Sequence, residues 1–206
     1  QQTDPHPGGK HVDQVGALAE PDPELLPVPY VENRNLDFSF SGLKTAAAQI
    51  IQHRPGVRLE TMPRETDVLA LGRQRPELAR LCASFNWAVA RALRSKTARA
   101  LARFPETQQL IVAGGVAANS VVRREMAELA QEAGVDLVLP SLSLCTDNAA
   151  MIAYAGECFC AAGWAHGLEL EAVPRGQRVP WDYLPRTGAA ELGGSGLGVD
   201  RDAQQP

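Results

Sequence analysis

The chain has 206 residues, 45% of them hydrophobic and 21% charged, with a formal net charge of -4 and a pI near 5.6. This length suits one large domain or two small ones, and this composition is that of an ordinary globular protein. The acidic balance excludes a domain that grips nucleic acid through overall positive charge, and leaves only local basic patches for such a role.

Residues 1–35 are rich in Pro and Gly and read as irregular, with a short helix around His11–Leu18. The opening QQTDPHPGGK has no signal-peptide pattern and no initiator Met, so the chain need not begin where its gene does. In LDFSFSGLKTAAAQIIQ, Leu36, Phe38 and Phe40 alternate with Asp37, Ser39 and Ser41, which predicts a half-buried strand. Gly42 punctuates it, and LKTAAAQIIQH continues as a helix. Residues 54–76 carry Arg and Pro and read as a loop or a short helix between Pro63 and Pro76.

A long helix is expected from Glu77 to about Phe104, with a stripe of Leu78, Leu81, Phe85, Val89, Ala92, Leu93 and Leu101 at helical spacing. Trp87 and the basic residues Arg91, Arg94, Lys96, Arg99 and Arg103 lie off that stripe, and Arg123 and Arg124 form a second basic pair. Solvated helix faces are the plain reading of these charges, a local basic patch the other. Leu110-Ile111-Val112 reads as a strand buried on both faces. A Gly114-Gly115 turn follows, then a helix capped by Asn119 or Ser120 and ended by Gly134. VDLVLP is a second buried strand, closed by Pro140, and the next helix follows the cluster Cys145-Thr146-Asp147-Asn148. Residues 108–163 are thus an α/β layered unit with a largely parallel sheet. Beyond about Arg175 the chain is Gly-rich, poor in large apolar residues, and reads as a disordered tail.

No run of about 18 apolar residues occurs, so no membrane-crossing helix is expected. Cys82, Cys145, Cys158 and Cys160 lack C-x-x-C spacing and are too sparse for an extracellular disulfide framework. Cytoplasm is the expected compartment. Cys158 and Cys160, two apart in a helix, read as small buried residues.

Two places suit chemistry, because ligands of a parallel α/β sheet bind where strands end and helices begin. At AGGVAAN, Gly114 and Gly115 leave room for a ligand against the backbone. The following helix start offers N–H groups to an anion, and Asn119 offers a donor and an acceptor. A tight turn plus a capping Asn is the alternative. At CTDN, Asp147 or Thr146 is a cap, or Asp147 is a carboxylate held rigidly by a helix whose Ala149, Ala150, Ala153, Ala155 and Gly156 permit close packing. The four His supply no i, i+4 pair, so any further metal ligand to Asp147 must come from elsewhere.

NLDFSFSGLKTA, LIVAGGVAANSVVRREM and LCTDNAAMIAYAGE, in this order and spacing, together resemble the C-terminal half of the bacterial tRNA N6-adenosine threonylcarbamoyltransferases. The PGG of residues 7–9 is similar to that family's YPGG turn, with His6 in place of Tyr. The resemblance covers residues 5–165 in outline. It implies an α/β chain that is the C-terminal lobe of an actin and sugar-kinase-like (ribonuclease H-like) two-lobe fold, with a parallel-rich sheet and packed helices. Residues 1–35 would be an irregular segment carrying the PGG turn, 36–175 the lobe and 176–206 the tail.

The resemblance further implies transfer of a threonylcarbamoyl group from threonylcarbamoyl-adenylate to N6 of the tRNA adenosine 3′ of the anticodon. It implies substrate contacts at Gly9, Gly114, Gly115 and Asn119, and one divalent metal, iron in this family, held by Asp147 and two His of an HxxxH helix. The partners implied are tRNA, a non-catalytic paralogue and a small P-loop ATPase. The HxxxH pair, an SGGHT loop and an Asp before PGG have no counterpart here, and Trp87 stands where the family usually has an acidic residue. The chain alone is therefore expected to be inactive. A non-catalytic scaffold of the same fold, or a sugar-kinase-like phosphotransferase, are the rival readings.

Overall fold

The computed structural model of the chain describes residues 7–29, 35–59, 66–145 and 148–164. The chain divides into two compact units, Gln1–Asp147 and Asn148–Pro206. The expected tail beyond Arg175 lies outside the described residues.

The first unit is organised around one long helix. α1 (Pro7–Gly16) is followed by α2 (Ser41–His53), α3 (Val68–Gln74) and α4 (Pro76–Arg103). Then come β1 (Gln109–Ile111), a 3-10 turn (Gly115–Ala118), α5 (Ser120–Ala133), β2 (Asp136–Val138) and a second 3-10 turn (Leu142–Leu144). β1 and β2 pair in parallel, Leu110 opposite Leu137, with α5 as the crossover. The strand–turn–helix–strand order expected from the sequence is present.

Helix ends follow from local chemistry. Asp67 caps α3, its carboxylate accepting from the N–H groups of Leu69 and Ala70, both at 3.0 Å. Pro76 opens α4 at a position where its missing N–H costs nothing. Gly134, left-handed with φ 67°, closes α5. Pro7 likewise suits the first turn of α1, which begins four residues before the expected His11 and takes the PGG triplet into a helix rather than a turn.

Three apolar clusters line α4. Leu43 and Ala47 of α2 meet Leu81 and Ala88, together with Leu26 and Val57. Val15 of α1 and Val68 of α3 meet Ala79. Val122, Met126 and Leu129 of α5 meet Ala90, with Leu110 and Leu137 of the sheet packed against them. Full burial of a Leu or Met contributes about 1.5–3 kcal/mol, so these contacts hold the unit together. α4 is therefore enclosed on several sides, and the single-stripe expectation is too narrow. Ser84, Asn86 and Lys96 are buried in it beside the alanines.

Lys96 is the clearest departure. Expected off the apolar stripe, it is 2% exposed and donates to the backbone carbonyl of Asn35 at 2.7 Å and to its Oδ1 at 3.2 Å. Burial lowers its pKa, with Arg99 adding to the effect and Asp37 opposing it.

Two strand expectations need correction. Residues 36–40 form no strand, because none of the described residues pairs with them. Phe38 and Phe40 stack at 6.5 Å, and Phe38 stays half exposed. β1 and β2 are buried on one face only: Leu110 and Leu137 turn towards α5, while Ile111 and Val138 are exposed. Two strands have one covered side, whereas burial on both faces needs helices on each.

The second unit is described for α6 (Ala149–Ala161) and the turn ending at Trp164. No residue of α6 is buried, and a Cβ built on Gly156 would meet nothing within 4 Å. The close packing expected of its small residues is thus absent among the described residues. Cys158 and Cys160 are exposed, not buried as expected. No described helix is long and apolar enough to cross a membrane.

Candidate functional site

Asn119, expected to bind substrate, sits where α1, α4 and the start of α5 meet. Asn119 caps α5: its Oδ1 accepts from the N–H groups of Val121 at 3.0 Å and Val122 at 3.1 Å. Its Nδ2 donates to Oδ1 of Asn86 on α4 at 3.0 Å. Asn86 in turn donates through Nδ2 to the carbonyl of Val12 on α1 at 3.3 Å. One turn on from Gly9, Asp13 reaches Ser120, accepting from its N–H at 3.1 Å and from its Oγ at 2.8 Å.

This arrangement revises the anion-site expectation. The N–H groups of Ser120, Val121 and Val122 are all satisfied inside the protein, and that of Arg123 bonds the carbonyl of Asn119 at 3.0 Å. A helix N-terminus attracts phosphate when its first N–H groups are free. Here a side-chain carboxylate and a carboxamide already occupy them. The half-buried carboxylate of Asp13 repels a phosphate and suits hydroxyl donors instead.

Beside this cluster the backbone is open. Gly114 has φ 84°, a conformation that a side chain would strain, and a Cβ built on Gly114 or Gly115 would meet nothing within 4 Å. The turn is closed by the bond from the Ala117 N–H to the Gly114 carbonyl at 2.9 Å. Gly9, in the first turn of α1, is open in the same sense.

Arg123 joins this loop to the start of the CTDN motif. Its guanidinium donates to the carbonyls of Ala117 at 2.7 Å and Pro140 at 3.0 Å, and lies 3.6 Å from Sγ of Cys145. Cys145 is buried, its thiol directed at the carbonyl of Ser141 at 3.5 Å. This fixes the chain up to the residue before Thr146 and Asp147, which lie outside the described residues. The cap of α6 is Asn148, whose Oδ1 accepts from the Met151 N–H at 3.2 Å. One of the two accounts of CTDN has Asp147 or Thr146 as the cap with Asn148 satisfying nearby backbone, and Asn148 does satisfy backbone here while Thr146 and Asp147 lie outside the described residues.

The described residues do not make up a metal site. No group of three or more His, Cys, Asp or Glu occurs among them. His53 is turned back on its own helix, bonding the Gln49 carbonyl at 2.8 Å, and the His11 Nδ1 is buried without a hydrogen-bond partner. His6 and His166 lie outside the described residues.

Two residues of the cluster escape sequence reasoning. Asp13 lies four positions after Gly9, so both project from one face of α1, a legible spacing once the helix is known to start at Pro7. Asn86 carries no such signal, because a polar residue among alanines reads as a solvent face. The basic residues largely follow the plain reading. Arg94 is tied to Glu125, Glu128 and Glu132 of α5, the last at 2.6 Å, and Arg91 lies 6.0 Å over the Trp87 ring.

Residues 2–154 match the family pattern described as TsaD, tRNA N6-adenosine threonylcarbamoyltransferase. Among curated proteins of that name, the one from Maridesulfovibrio salexigens is 50% identical over 183 residues, which is 87% of this chain and 51% of the relative. The one from Solidesulfovibrio magneticus is 46% identical over 87% of this chain and 48% of its own length. For Geobacter sulfurreducens the identity is 41%, over 86% of this chain and 46% of the relative. The chain spans about half the length of the curated relatives it matches. With three quarters of its residues inside the family pattern and half of the aligned ones identical in a curated member, the chain belongs to the tRNA N6-adenosine threonylcarbamoyltransferase family.

Proposed function

We propose that this chain takes part in threonylcarbamoyl transfer to N6 of the adenosine 3′ of the tRNA anticodon, as the C-terminal lobe of a two-lobe enzyme. Its own share is to hold the adenosine side of threonylcarbamoyl-adenylate. The observation that carries the reading is the junction at which Asp13 binds Ser120 and Asn86 binds Asn119, with Gly9 one turn before Asp13 on α1 and the open Gly114-Gly115 backbone in the turn that leads to Asn119. Glycines admit a flat nucleoside against the backbone, Asp13 accepts from ribose hydroxyls, and Asn119 presents an Nδ2 donor to an acceptor on the ligand. The satisfied start of α5 makes this a nucleoside site, with the phosphate held elsewhere.

In the reaction the N6 nitrogen forms a bond to the carbamoyl carbon while the bond from that carbon to the phosphate oxygen breaks. AMP leaves, and the N6 proton passes to solvent or to a base. Holding the adenosine of the leaving group fixes the carbamoyl carbon in space, which lowers the entropic barrier to attack. Asp147 is proposed as one ligand of a divalent metal, iron by family pattern, which would polarise the carbamoyl group when bound. Its two His ligands, the paralogue, the P-loop ATPase and tRNA would come from outside this chain. The chain alone would then be inactive, and the cytoplasm its compartment.

The test is calorimetric titration of the chain with AMP, repeated with Asn119→Ala and Asp13→Ala. Saturable binding by the wild type, weakened at least tenfold in each variant, is the expected result. Equal binding by all three would overturn the site. Phosphate transfer from ATP to a small polyol would favour the kinase-like rival, and full function of Asp147→Ala in the assembled transferase would favour the scaffold.

A further inference from the structure

We propose that Asn86 is a positioning residue, which locks the carboxamide of Asn119 in one orientation and ties the Gly9-bearing helix α1 to it. The geometry is independent of function; the consequence for binding rests on the nucleoside-site reading above.

The orientation is dictated link by link. Two backbone N–H groups, of Val121 and Val122, face Asn119, so its oxygen must face them and its Nδ2 must point away. That Nδ2 meets Asn86, which must therefore present its own oxygen, at 3.0 Å. The Nδ2 of Asn86 is then left to the carbonyl of Val12, an acceptor with no choice, at 3.3 Å. At 4% exposure, Asn86 has no water to substitute for either bond. Space for it exists because residue 16 is glycine: a Cβ there would come within 2.9 Å of the Asn86 Nδ2 and 3.0 Å of the Ala83 nitrogen. α1 thus crosses α4 at touching distance, and one side chain reads the positions of three helices.

Each Nδ2 carries two hydrogens, and among the described residues one hydrogen on Asn119 is left for a ligand. Asn86 fixes where that hydrogen points. Without Asn86 the amide would keep its cap but lose the partner that holds its plane.

The substitutions Asn86→Leu and Asn86→Asp separate the possibilities. Leu removes both bonds at similar volume, whereas Asp keeps an acceptor for Asn119 and loses the donor to Val12. The first readout is the side-chain amide pair of Asn119 in a 15N–1H NMR spectrum, assigned by its disappearance in Asn119→Asp. In Asn86→Leu this pair is expected to move towards the free-asparagine position and exchange faster with solvent; in Asn86→Asp it moves downfield against the charged acceptor. An unmoved pair in the folded Leu variant overturns the proposal, and should that variant not fold, an unmoved pair in the Asp variant does so. The second readout is AMP affinity, expected to fall about tenfold in Asn86→Leu and less in Asn86→Asp. Unchanged affinity despite a moved amide pair would overturn the binding consequence. Absence of AMP binding in the wild type would sink the nucleoside site itself, and the amide pair would still decide the role of Asn86.

Discussion

Two helices of this chain begin in the same manner and end up in different circumstances. α5 follows GGVAAN and α6 follows CTDN, and in each the last Asn caps the helix through Oδ1. At α5 the cap makes two bonds, its amide is gripped by a buried Asn86, and Asp13 takes the next N–H. At α6 the cap bonds the Met151 N–H at 3.2 Å, and the helix buries none of its residues. A capping Asn stabilises a helix anywhere, but only packing against other elements makes it a fixed ligand-binding group. Preorganisation at the proposed nucleoside site would therefore come from the α1–α4–α5 junction and not from the motif alone.

The contrast can be broken by experiment. The largest difference should appear in apolar truncation. Met126→Ala, in the α5 core, is expected to lower unfolding stability by about 2–4 kcal/mol in denaturant melts. Met151→Ala, on a residue 54% exposed, should change it by less than about 0.5 kcal/mol. Equal losses would mean that α6 is packed as tightly as α5.

Thiol reactivity should follow the same division. Burial pushes the Cys82 pKa up from 9.0 to about 11, which leaves about a hundredfold less thiolate at neutral pH. Maleimide labelling followed by mass spectrometry should therefore modify exposed Cys158 and Cys160 well before Cys82, with buried Cys145 shielded by its packing. The raised native pKa also sets a sign for stability. The contribution of the protonated thiol is complete below pH 9 and is lost as pH rises towards 11, by roughly 2 kcal/mol. Cys82→Ala should flatten that decline; a decline of the same size in the variant would exclude the thiol as its cause.

The two caps come next. Asn119→Ala removes a cap and leaves the buried Asn86 oxygen without its donor, costing about 2 kcal/mol. Asn148→Ala removes the cap bond to the Met151 N–H and should cost about 0.5–1 kcal/mol. Similar costs would show that Asn86 does not depend on Asn119. The effect most sensitive to salt is that of the Arg94 cluster. Arg94→Gln should lose about 1 kcal/mol at low salt and less at high salt, since its Glu128 and Glu132 partners face solvent.

Much of this molecule follows from its sequence because the causes are local. The Asn119 cap, the Gly134 stop and the Pro76 start depend on bonds made within a few residues, and the motif spacing that marks the family is read from the chain itself. The rest depends on partners far along the chain. Alternation at 36–40 specifies a strand only where another strand is present to pair, and none of the described residues supplies one. Lys96 is buried because Asn35 arrives to accept from it, 61 residues away in sequence. Asp13 closes the start of α5 across 107 residues, taking up an N–H group of the expected phosphate cradle. Capping and breaking are written in neighbouring residues, whereas which polar groups are left free for a ligand is a sum over every contact the fold makes.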